Sequence, residues 1–141
     1  MRNDLLLYIA AFALSLVLSV GSFAGSAADA DTGGIPNTYD NCIDVPNGPL
    51  AGSCSTNQDG DADGYGNACD FDFNNDGATG LDDLSSILVA VGTVDPVLDT
   101  NCDGAVGLDD LSSVLLTIGL VPGPSGLSCA AATLPGTCPP L

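Results

Sequence analysis

Aspartates recur in this chain at intervals that suit a metal ion. Asp59, Asp61, Asp63, Gly64 and Asp70 stand at positions 1, 3, 5, 6 and 12 of a twelve-residue frame. Asp72, Asn74, Asp76, Gly77 and Asp83 fill the same positions, and so do Asp99, Asn101, Asp103, Gly104 and Asp110. The stretch from Asp59 to Gly77, "DGDADGYGNACDFDFNNDG", alone holds six aspartates. Two carboxylates about 4 Å apart repel by roughly 4 kcal/mol at an effective dielectric of 20. Such a stretch needs either water or bound cations to offset its charge.

The spacing favours a cation. In a tight loop, alternate residues aim side chains 1, 3 and 5 at one centre, and glycine at position 6 allows the sharp turn. The carbonyl at position 7 (Tyr65, Ala78 or Ala105) can be the next ligand. Position 9 (Asn67, Gly80, Gly107) lies where a water often bridges, and only Asn67 has a side chain that could ligate. Position 12 returns a carboxylate. Six to eight oxygens at about 2.3–2.6 Å suit Ca²⁺, and the pattern is that of an EF-hand calcium loop with Asp in place of the final Glu. Two to three ions are expected.

Elements must hold these loops in shape. "ATGLDDLSSILVAVG" (78–92) and "AVGLDDLSSVLLTIG" (105–119) match at ten of fifteen positions, 27 residues apart. Leu81, Leu84, Ile87, Leu88 and Val91 follow helical spacing, as do Leu108, Leu111, Val114, Leu115 and Ile118. Asp82, Asp83, Asp109 and Asp110 fall in first turns, where the helix dipole favours anions. Gly92 and Gly119 sit where a left-handed residue ends a helix. Two short helices result, each preceded by an acidic loop. Leu84, Ile87 and Val91 with Leu111, Val114 and Ile118 suffice for a small shared core; Leu81, Leu88, Leu108 and Leu115 either widen it or stay outside.

Charge excludes several functions. The chain has 141 residues, a formal net charge of −17, no His and a single Lys or Arg, which is Arg2. All eighteen acids are Asp, and seventeen lie beyond Ala28. Nothing could neutralise phosphates, so nucleic acid is excluded as a partner, and anionic membranes are disfavoured in the same way. No base stands near Ser85, Ser86, Ser112 or Ser113, and every aspartate pair fits the metal frame, so no enzyme is expected.

The first 28 residues read as a secretory signal: Arg2, an apolar run from Leu5 to Val20, and Ser26-Ala27-Ala28 at a cleavage site. A retained membrane anchor is the alternative. Secretion and an even count of six cysteines (Cys42, Cys54, Cys69, Cys102, Cys129, Cys138) point to three disulfides. Six cysteines allow 15 pairings. The short-loop pairs Cys42–Cys54 and Cys129–Cys138, leaving Cys69–Cys102, are the simplest. With no His and no CxxC, a zinc site is disfavoured. The domains are then a signal (1–28), a flexible, disulfide-tied lead-in (29–58), a first calcium loop (59–71), the loop–helix pair (72–119) and a Pro/Cys-rich tail (120–141) that cannot be a helix.

Residues 72–119, "DFNNDGATGLDDLSSILVAVG" and "DTNCDGAVGLDDLSSVLLTIG", resemble a type I dockerin: two calcium loops, each running into one helix, related by a pseudo-twofold. Residues 40–77, "DNC…NQDGDADGYGNACDFDFNNDG", resemble a thrombospondin type 3 repeat, a family that winds around calcium with little core. The fold class expected is small and mostly irregular, with two short α-helices, paired EF-hand-like loops and disulfide staples. The dockerin resemblance implies docking onto a cohesin-like partner through loop positions 10 and 11 and helix positions 17 and 18. Those are Leu81, Asp82, Leu88 and Val89, and Leu108, Asp109, Leu115 and Leu116. Dockerins often carry polar or basic residues there, and this chain has Leu and Val.

The expected function is a secreted calcium-binding, non-catalytic interaction module whose folding depends on Ca²⁺. The alternative is a structural subunit of an extracellular filament, surface layer or matrix that assembles with calcium.

Overall fold

The computed structural model describes residues 27–52, 54–131 and 133–139, so all of the expected signal segment but its last two residues lies outside the described residues. Among them the chain forms two α-helices, a 3-10 turn at Asn37–Tyr39 and no strand. The remainder is loop held by three disulfides. No helix of the described residues is long and apolar enough to cross a membrane.

The helices are those of the repeat. Helix α1 spans Leu81–Ala90 and α2 spans Leu108–Thr117, ten residues each. Each starts after a glycine in extended conformation, with two aspartates in its first turn. The third helical residue closes the entry: Gly80 N–H donates to Asp83 Oδ2 at 2.6 Å and Gly107 N–H to Asp110 Oδ2 at 2.7 Å. Such a bond satisfies a backbone donor that the helix cannot. Gly92 and Gly119 follow the ends with φ of 89° and 85°, a conformation that costs glycine least.

The two units clasp each other reciprocally. Val106 N–H donates to the Thr93 carbonyl, and Gly92 N–H donates to the Val106 carbonyl. In the mirror arrangement, Thr79 N–H donates to the Leu120 carbonyl and Gly119 N–H to the Thr79 carbonyl. Thr79 and Val106 both occupy position 8 of their loops and both are buried. The end of each helix is thus fastened to the loop that precedes the other helix.

The core keeps Leu84, Ile87, Leu111 and Val114 of the six residues that helical periodicity suggests, loses two and gains others. It is Ile87, Ala90, Leu98, Val106 and Val114, with Phe71, Phe73, Leu84 and Leu111 packed against it. Val91 and Ile118 are not part of it: they cap their helices outside the helical φ,ψ region and are exposed. Phe71, Phe73 and Leu98, from the loops, take up the space instead. Leu81, Leu88, Leu108 and Leu115 are all exposed.

The disulfides are Cys42–Cys69, Cys54–Cys102 and Cys129–Cys138. Only the last short-loop pair expected from sequence is present. Cys42 and Cys54 do not pair because each is carried to a different neighbour. Residues 41–47 fold against the first acidic loop, with Gly66 N–H donating to the Asn41 carbonyl, while Cys54 reaches the third. Residues 29–58 therefore have their backbone engaged along much of their length. Asn41 bonds Asn47 and Asn57 side chain to side chain and side chain to backbone, and all three are buried.

Candidate metal centre

Each acidic loop is built on its own first aspartate. Asp59 Oδ2 accepts from Gly64 N–H at 3.0 Å, Asp72 Oδ2 from Gly77 N–H at 2.7 Å, and Asp99 Oδ2 from Gly104 N–H at 2.9 Å. Position 3 accepts from the amide of position 5 in every loop, and position 5 from the amide of position 7. Position 4 is left-handed each time: Ala62, Asn75 and Cys102 have φ of 62°, 58° and 57°. Position 6 follows at 98°, 107° and 100° in Gly64, Gly77 and Gly104. Two positive φ values two residues apart fold the backbone back on itself and turn its amides inward.

The second and third loops share most of their bonds. Asp76 N–H reaches Asp72 Oδ1 and Asp103 N–H reaches Asp99 Oδ1, both at 3.1 Å. Position 12 is fully buried in both, and its Oδ1 accepts from the amide of position 3. Asp110 also accepts from Thr100 N–H and Thr100 Oγ1. The Asn74 and Asn101 side chains donate to Asp82 and Asp109 at 2.6 and 2.7 Å, so position 3 is also tied to position 11. Nothing in a frame of ligand positions alone signals that last contact.

In the first loop positions 1, 3 and 5 are all carboxylates. Asp59, Asp61 and Asp63 bring one carboxylate oxygen each to within 4.8 Å of one another, and the three could hold a metal ion. Asp63 is 1% exposed, and its Oδ2 is buried without a hydrogen-bond partner. An unpartnered buried carboxylate oxygen costs heavily unless a cation or donor reaches it. Burial pushes the Asp63 carboxyl from the ordinary 3.8 up to about 7, helped by the charges of Asp61, Asp59 and Asp72 and opposed by the Tyr65 N–H. Asp70, at position 12, is pushed up to about 8, first by burial and then by Asp63. Burial also raises Asp59 and Asp83.

No helix follows the first loop, and the remaining positions act differently there. Asp70 Oδ1 accepts from Asp72 N–H, joining the end of one loop to the start of the next. Asn67 Oδ1 accepts from Gly60 N–H, and its Nδ2 donates to the carbonyls of Pro96 and Asp99. Asn75 Nδ2 donates to Asp61 Oδ2 at 2.6 Å. The three loops thus share a network.

The C-terminal tail closes over the first loop. Gly136, Cys138 and Ala131 donate backbone N–H groups to the carbonyls of Asp61, Ala62 and Asp63. Ser125 Oγ donates to the Gly64 carbonyl at 2.6 Å and Thr137 Oγ1 to that of Asp63. The described residues between 120 and 139 contain no helix.

The residues expected to meet a partner lie on the surface. Leu81 and Leu108 are 73% and 72% exposed, Leu88 and Leu115 both 54%, and Val89 and Leu116 84% and 83%. Equivalent positions agree closely, so the two helices present the same apolar face. Three disulfides suit an oxidising compartment. No family model, curated protein or solved structure matches the chain.

Proposed function

We propose that the protein is a calcium-binding, non-catalytic interaction module of the extracellular space, folded around its ions. The observation that carries this is Asp63: a carboxylate buried beside Asp59 and Asp61, with an oxygen that nothing among the described residues satisfies. Lys, Arg and His are absent beyond Arg2, so no side chain can supply the missing positive charge. A hard divalent cation can, and an all-oxygen donor set suits calcium better than a transition metal. The two loop–helix units repeat the same carboxylate and amide positions and would take an ion each. A small core needs such support, because burial available to so short a chain leaves folding marginal.

Ten of the aspartates stand at frame positions 1, 3, 5 or 12 of the three loops. Bound calcium would turn their mutual repulsion into coordination. Far-UV circular dichroism and isothermal calorimetry of the mature chain during a calcium titration test this. Helix content and compactness should rise to saturation with two to three ions. Identical spectra in calcium and in EDTA would overturn it.

The matched apolar faces on α1 and α2 support an interaction role. Their equivalence fits a partner that docks symmetrically on the paired units, as the dockerin resemblance implies for a cohesin-like protein. The same faces also fit self-assembly into a filament or matrix. Light scattering with and without calcium separates the two: discrete monomers favour a distinct partner, and large calcium-dependent polymers favour assembly.

A further inference from the structure

We infer that the C-terminal tail is a strap that locks the first acidic loop shut, so that the ion at Asp59, Asp61 and Asp63 is released only when the tail lifts. The inference rests on the metal reading of that loop for the ion itself. The tail, residues 120–141, lies outside both segments that resemble known repeats. Its hold falls on one acidic loop of the three.

Positions 3, 4 and 5 of the first loop carry Asp61 and Asp63, and all three of their carbonyls are taken. Gly136 N–H donates to the Asp61 carbonyl at 3.0 Å, Cys138 N–H to that of Ala62 at 2.9 Å and Ala131 N–H to that of Asp63 at 3.0 Å. Thr137 Oγ1 donates to the Asp63 carbonyl as well, at 3.2 Å, and Ser125 Oγ to the Gly64 carbonyl at 2.6 Å. Gly123 N–H extends the line to the Cys69 carbonyl. The carbonyls at positions 3 to 5 of the second and third loops accept no backbone hydrogen bond from any other loop or from the tail, among the described residues.

Packing picks out the same loop. A methyl group placed on Gly64, the turn glycine, would lie 2.6 Å from both the Cys138 sulfur and the Ala130 Cα. On Gly77 it would meet only Thr133 Cγ2, at 3.6 Å, and on Gly104 nothing within 4 Å. The Cys129–Cys138 bridge therefore rests on the residue where the first loop folds back. Both of its cysteines lie in the tail, nine residues apart, so the bridge shapes the strap and does not tether it to the loop. Ala131, Gly136 and Cys138, the three amide donors, all fall within that span. A closed ring presents them with little left to order, which lowers the cost of engaging three successive carbonyls. The grip itself is non-covalent and can open.

An ion held by alternate residues of a loop leaves when those residues swing away from it. Local opening of this kind is easiest where few backbone bonds must break. In the second and third loops, positions 3 to 5 can swing without breaking a bond to the tail. In the first, the strap's amides must let go before Asp61 and Asp63 can move.

Release kinetics test the strap. Tyr65 is position 7 of the first loop, and Tyr39→Phe leaves it the one tyrosine beyond the expected signal. Terbium-loaded Tyr39→Phe protein mixed with excess EDTA in a stopped-flow instrument reports release from the first loop as decay of tyrosine-sensitised emission. Adding Ser125→Ala and Thr137→Val removes two strap bonds and keeps the bridge, and the decay should become about tenfold faster. Adding Cys129→Ser and Cys138→Ser instead loosens the whole ring and should accelerate the decay at least as much. Calcium release from the second and third loops, followed with a chelating dye, should keep the parent rate in both variants. Unchanged decay in both variants overturns the inference. Equal acceleration at all three loops also overturns it, because the tail would then support the fold in general. Absence of sensitised emission in the Tyr39→Phe parent would instead remove the metal reading of the first loop, and the strap's role with it.

Discussion

The Asn67 side chain donates to the Asp99 backbone carbonyl at 3.1 Å, joining acidic loops 32 residues apart in sequence. The same amide also reaches the Pro96 carbonyl, and the side-chain oxygen caps Gly60 N–H. One buried residue therefore aligns the first loop with the third. Asn67→Ala should leave buried groups unpaired and cost about 1–3 kcal/mol. In a domain of this size each kcal/mol lowers the melting temperature by roughly 4–8 °C. Differential scanning calorimetry in calcium should show a lower transition that splits in two as the loops uncouple. A single transition at the parent temperature would refute the linkage.

Metal-free protein should be destabilised by alkali. Burial raises Asp63 from 3.8 to about 7 and Asp70 to about 8. The folded state then holds protons that the unfolded chain has already released. That contribution is fully present below about pH 4 and is lost as pH rises through about 7 to 8. Urea melts in EDTA should therefore have a lower midpoint at pH 8.5 than at pH 5. Calcium competes with the same protons, so its midpoint should move to higher concentration on acidification. A metal-free midpoint that rises with pH would contradict the burial of both carboxylates.

Charging the helix faces should leave the fold alone. Val89 and Leu116 are the most exposed of the equivalent pairs. Val89→Asp with Leu116→Asp should change stability by less than about 0.5 kcal/mol, as for surface positions generally. Retention on a hydrophobic-interaction column in calcium should fall sharply, because the paired apolar patch is interrupted. Unchanged retention would show that other exposed residues, such as Leu120 and Val121, make the apolar surface.

Removing the Cys54–Cys102 bridge should release the segment before the first loop. The bridge spans 48 residues, and chain entropy gives it about 4 kcal/mol. Cys54→Ser with Cys102→Ser should lower the denaturation midpoint in calcium and expose amides of residues 41–57 to hydrogen exchange. Helices α1 and α2 should stay protected. Equal loss of protection in the helices would mean that the bridge supports the whole fold.

The sequence makes the repeated parts legible and the unrepeated parts opaque. The two short helices, their glycine ends and the three acidic frames follow from local periodicity, and the structure has helices at Leu81–Ala90 and Leu108–Thr117. Core membership does not follow. Phe71, Phe73 and Leu98 pack against the helices from loops, where no period of 3.6 or 2 marks them. Val91 and Ile118 have the right spacing, but the chain leaves the helix there and turns them outward. The disulfides fail for a related reason: short separation favours Cys42 with Cys54, yet the fold sets Cys42 beside Cys69.

The tail's grip on the first loop sets an order in time. Carbonyls of Asp61, Ala62 and Asp63 wait for amides of Gly136, Cys138 and Ala131. A chain emerging from its amino end can finish the loop–helix units as soon as Leu120 appears. It cannot finish the first loop until Cys138 has emerged. The first loop, made before the loop–helix units, thus closes after them.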